Sequence, residues 1–284
     1  MCIKIVEHFC QREDVILNGK KTAWMKLGEK PLVHPISKKK VPRPSLNDEN
    51  FVANGVMVEK VYSFKYLGYM ITSDDDNNTH INARINSVNM AKKELNKINL
   101  KNSWLDPEIK GCMVQSLCRS TLVYGMENAN LCKSKIDRLI TIESNIIKEY
   151  IGVARRSYTT PLIEVTKIKS LEDSLKIRRY SMLLQLLTNE VTSKLVLRDD
   201  EHNYSTTITE CGYRNLSSDE YLTKRNKIAS CCLDAISTIK YKYKNATQDI
   251  FTKAVEYLLK NHTPHNYKLL KFLLHSKNKI RDFI

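Results

Sequence analysis

The chain has 284 residues and a hydrophobic share of 42%, enough apolar material for one large or two modest cores, which excludes a wholly disordered tail. Lys and Arg number 46 against 31 Asp and Glu, a formal charge of +15, so polyanions are the expected partners: nucleic acid first, with acidic membrane surfaces and acidic proteins as the other classes. No run of about 18 apolar residues occurs, and Met1 to Cys10 lacks the basic start and long apolar core of a secretory signal, so an intracellular, soluble protein of cytoplasm or nucleus without a membrane-spanning segment is expected.

In chain order, Ile3, Ile5, Val6 and Phe9 carry a helical spacing ending near Arg12, Asn18-Gly19 forms a turn, and Thr22 to Gly28 reads as a short strand. Pro31, Pro35, Pro42 and Pro44 fall within residues 29–50 together with Lys38-Lys39-Lys40, which predicts an exposed, irregular connection whose lysines are either solvated or in contact with phosphate. Val58 to Ile71 alternates and is rich in aromatic and β-branched residues, with Asn54-Gly55 before it and Ser73 to Asn78 closing it. That stretch reads as a strand or hairpin, and Gly68 inside it marks a bend or a close backbone approach.

From Thr79 the period becomes helical: Ile81, Ile85, Val88, Ala91, Leu95 and Ile98 form one stripe, with Arg84, Lys92, Lys93, Lys97 and Lys101 off it. Asp106-Pro107-Glu108 opens a second helix that runs toward a bend at Gly125. Ile136 to Tyr150 forms a third, stopped by Gly152, and Ser170 caps a fourth whose stripe is Leu171, Leu175, Tyr180, Leu183, Leu184 and Leu187. Asp199-Asp200-Glu201 reads as a break, and residues 218–275 as about three more helices. The expected fold is therefore mainly α, with a small antiparallel β remnant near the N-terminus. None of the eight cysteines forms a C-x-x-C pair, so buried free thiols are expected. His262 and His265 have no matched Cys or carboxylate pair nearby, so no metal site is assigned.

Several short motifs, in order, resemble the reverse transcriptases of non-LTR (LINE-like) retrotransposons. Leu17 to Met25 resembles their "LNxxKTxxM" segment, and Phe64-Lys65-Tyr66-Leu67-Gly68 with Ile71 to Asp74 resembles the "FKYLG…IxSD" primer-grip hairpin. Ile81 to Ile85 matches "IxxRI", Ser120 to Glu127 matches "stllYGxE", and Leu139 to Gly152 resembles "LxxxExxxLRxixG", with Lys148 where Arg is common. The match covers residues 3 to about 190, and its specificity lies in order and spacing.

The resemblance implies a residual palm over residues 1–78, a helical thumb over 79–190 and a helical region of unknown role over 191–284. It implies Lys21 as proton donor to the leaving pyrophosphate, Phe64, Tyr66, Leu67 and Gly68 as the primer grip, and Arg84, Lys92, Lys93, Arg178 and Arg179 as phosphate contacts to an RNA/DNA hybrid or RNA. Two-metal phosphoryl transfer needs clustered carboxylates holding the ions about 4 Å apart. The family's Tyr-x-Asp-Asp turn precedes the Lys-Thr segment and is missing here. Asp74-Asp75-Asp76 lies after the primer grip and reads as turn and helix-cap acids. The chain is thus expected to be a truncated reverse transcriptase that binds no Mg²⁺ and is inactive alone. A non-enzymatic basic nucleic-acid-binding protein derived from a retroelement, or a product without function, stands as the alternative.

Overall fold

The computed structural model describes residues 8–15, 18, 22–44, 51–53, 56–129, 131–198, 207, 221–243 and 256. The fold is mainly helical with small antiparallel sheets, as the periodicities require. Contacts divide the chain into two units, Met1–Ala83 and Arg84–Ile284.

In the first unit, alternation produces a hairpin of β7 (Ser63–Tyr66) and β8 (Tyr69–Thr72), in which Phe64 faces Ile71 and Tyr66 faces Tyr69. Before it come six two-residue strands. β1 (Ala23–Trp24) pairs parallel with β6 (Glu59–Lys60), β2 (Leu32–Val33) antiparallel with β3 (Lys40–Val41), and β4 (Val52–Ala53) antiparallel with β5 (Val56–Met57). Residues 29–50 are therefore not wholly irregular, although a ladder of two residues has too little alternation to be read in advance. Lys60 secures β6 by an ion pair to Glu29 at 2.9 Å and by lying 5.2 Å over the Trp24 ring.

The hairpin also docks on the start of α1 (Asn77–Lys97). The buried His80 accepts from the Met70 amide at 3.2 Å, its ring lies 4.2 Å from that of Tyr69, and the Tyr69 hydroxyl donates to Asn77 at 3.0 Å. Asp76 caps α1 by accepting from the Asn78 amide at 3.0 Å, the role expected for acids in this loop.

In the second unit, α2 (Pro107–Val114) begins as expected, with Asp106 accepting from the Glu108 amide at 2.8 Å. It continues through a π-helical turn, Gln115–Arg119, and a last helical turn, Ser120–Leu122, before Gly125 enters the left-handed region and breaks the direction of the chain. α3 (Lys133–Ile151) stops at Gly152, φ +86°, as its sequence requires. α4 (Thr160–Thr166) crosses α2 at Gly111, where a Cβ would lie 2.8 Å from that of Thr166.

Leu95, Leu100, Met113, Leu122, Met126, Leu139 and Tyr150 are fully buried in this unit. α5 (Leu171–Thr188) carries the predicted Ser170 cap, which accepts from the Asp173 amide at 3.0 Å. Beyond α6 (Glu190–Arg198), α7 (Tyr221–Lys242) packs on α5 through Tyr180, Leu183, Leu187, Ile228, Cys232 and Ile236. From the region of unknown role, α7 thus shares a core with α5. Of residues 218–275, expected to form about three helices, 218–220, 244–255 and 257–275 lie outside the described residues. Among the described residues, no helix is long and apolar enough to cross a membrane.

Candidate nucleic-acid interface

The primer-grip residues occupy the tip of the β7–β8 hairpin. Leu67 and Gly68 form its two-residue turn with φ of +46° and +86°, the handedness that suits a right-twisted ribbon. Glycine adopts this conformation freely, whereas leucine there costs about 1–3 kcal/mol. Phe64 is half-buried, while Tyr66 and Leu67 are exposed, so one end of the ribbon packs and the other projects. Lys21 lies outside the described residues.

The five basic residues divide into different environments. The guanidinium of Arg84 stacks 5.3 Å over the Tyr124 ring, and Arg178 reaches Glu127 at 3.9 Å. Two arginines from α1 and α5 therefore meet one turn, Tyr124 to Asn128. At about 100° per residue, Lys93 lies on the opposite side of α1 from Arg84 and is exposed. Lys92 and Lys101 both bind Glu149, at 2.5 and 2.8 Å; their hydrogen bonds, together with burial that acts the other way, leave its carboxyl below the usual range. Arg179, adjacent to Arg178 on α5, is half-buried.

Sequence reasoning missed Arg119. On the π-helical turn, its buried side chain makes a two-pronged pair with Glu143 of α3, with Nη2 to Oε2 at 2.8 Å, and donates to the Ser174 hydroxyl of α5 at 3.1 Å. A single arginine between Cys118 and Leu122, and a single glutamate among Leu139, Ile146 and Ile147, were the available signal. Nearby, Lys169 is held below the usual range by burial and by the charges of Lys240 and Arg119.

The acidic loop of the first unit does not suit a metal pair. The Lys40 ammonium sits 2.8 Å from Asp76 and 3.1 Å from Asp74, and donates to the Tyr62 hydroxyl at 3.0 Å, which in turn donates to Asp74 at 2.9 Å. Burial by itself raises both carboxyls, but the Tyr62 and Lys40 hydrogen bonds on Asp74, and that of Lys40 on Asp76, outweigh it and lower them. The hydrogen bond to Asp76 leads the causes that raise Lys40. An ammonium thus fills the space between the two carboxylates. No cluster of His, Cys, Asp or Glu suited to a metal occurs among the described residues, and His262 and His265 lie outside them.

The described cysteines are free. Burial pushes the Cys118 thiol up to about 12, whereas Cys132 is exposed, with its thiol lowered by the Ser134 hydroxyl. Compared with known proteins, the chain matches no family model, no curated protein and no solved structure.

Proposed function

We propose that the chain carries the primer-grip hairpin and thumb of a non-LTR retrotransposon reverse transcriptase, and that its second unit binds an RNA/DNA hybrid or RNA through phosphates. One observation carries the reading: residues of motifs far apart in sequence meet in the fold. Arg84 of the "IxxRI" segment stacks on Tyr124 of the "YGxE" segment, and Glu127 of the same segment faces Arg178. The Arg178 pair is long and partly exposed, so its guanidinium retains donors for phosphate oxygens. Stacking fixes the Arg84 plane at the same turn.

Binding, and not phosphoryl transfer, is the activity proposed for this chain alone, because its sequence has no Tyr-x-Asp-Asp turn and its Asp74-Asp75-Asp76 run is engaged by Lys40. The test is a titration of the full chain with a labelled RNA/DNA hybrid. Arg84→Gln with Arg178→Gln should weaken binding and lower the slope of affinity against salt by about two, one per lost phosphate contact. Unchanged affinity in that double variant would exclude this surface, and Mg²⁺-dependent extension of a primed template by the parent chain would exclude the non-catalytic reading.

A further inference from the structure

Trp104 is 93% exposed and Tyr158 is 88% exposed, although rings of this size normally gain from leaving water. Their loops belong to one end of α3. Lys101 binds Glu149 in the last turn of α3 and lies 5.9 Å over the Tyr150 ring, which fixes the loop carrying Trp104 to that end. Buried Leu100 and Leu105 flank the loop, and Asn102 accepts from the Trp104 amide at 3.1 Å, so the indole is held outward by a pinned backbone.

The second loop leaves the same helix directly. Lys148 donates to the Arg155 carbonyl at 3.2 Å, and the Ser157 amide donates to Ala154 at 2.9 Å, which closes a turn with Arg155 and Arg156 at its centre. Both arginines are exposed, and among the described residues neither has an ion pair. Charge and a flat apolar face therefore emerge from the same end of α3 that anchors the loop of Trp104.

We infer that this end of the second unit binds single-stranded nucleic acid, with unpaired bases stacking on Trp104 and Tyr158 and phosphates meeting Arg155 and Arg156. Bases in a duplex have no free face for such rings, whereas those of a single strand do. Separate rings on two loops suit bases better than acyl chains. The surface extends the nucleic-acid reading to a second form of ligand and is distinct from the Tyr124 turn.

The experiment compares binding of a labelled oligothymidylate and of an RNA/DNA hybrid to the full chain. Trp104→Ala with Tyr158→Ala should weaken oligothymidylate binding by roughly tenfold or more and leave hybrid binding within about twofold, while Trp104→Phe retains most of the single-strand affinity. Unaltered circular dichroism in the double variant shows that it folds. Equal losses for both ligands, no loss for the oligothymidylate, or a loss confined to anionic phospholipid vesicles would each overturn the inference. Failure of hybrid binding in the parent, with single-strand binding intact and sensitive to the rings, would remove the thumb reading and leave this one standing.

Discussion

Arg119 and Glu143 are almost wholly withdrawn from water and satisfy each other through two hydrogen bonds, with Ser174 taking a further guanidinium donor. Such a pair gives little net stability over an apolar equivalent, because both charges had to be desolvated, but losing one partner leaves the other stranded. Glu143→Gln should therefore lower the stability of the second unit by about 3–5 kcal/mol, read as a lower urea midpoint. Arg119→Met combined with Glu143→Leu should recover much of that loss. A Glu143→Gln protein unfolding at the parent's midpoint would contradict the account. This pair also marks how far single residues can be read in advance. The two charges interrupt apolar stripes visibly, yet no period connects a π-helical turn to the helix it will face. Arg84 and Arg178 were legible as basic residues off the apolar stripes, whereas the capture of Lys92 by Glu149 depends on a crossing that only the fold supplies.

The helical elements were legible where caps and stripes agreed: Asp106, Ser170, Gly125 and Gly152 all act where their residue types predict. Of the two-residue strands, β1 and β6 fall inside the expected stretches Thr22 to Gly28 and Val58 to Ile71, whereas β2 to β5 were not legible, because each is set by its partner and not by its own pattern. Lys40 shows what tertiary contact adds. A lysine in a proline-rich connection reads as a solvated charge, but it ties β3 to the acidic loop before α1. Its ionic links give a definite pH window. Asp74 and Asp76 are lowered in the fold, so their contribution is present above the unfolded value of about 4 and is lost as pH falls through the folded values. Lys40 is raised, so its contribution is complete below about pH 10 and is lost as pH rises through the folded value. Amide exchange over residues 32–41, corrected for intrinsic rates, should be slow at pH 7 and faster near pH 3, and Lys40→Met should be fast at both. Equal protection of parent and variant at pH 7 would refute the tether.

Across the whole molecule, internal ion pairs remove positive and negative charges in equal numbers, so the surplus of +15 survives every salt bridge described above. A surplus of that size repels itself in the compact state and is relieved by a polyanion. For the nucleic-acid binding proposed above, release of counterions is the direct signature. The deciding measurement is the affinity of the full chain for an RNA/DNA hybrid between about 50 and 200 mM salt. Contact with several phosphates predicts a linear fall of log affinity against log salt, amounting to about a hundredfold or more over that range. An affinity that is independent of salt would contradict it.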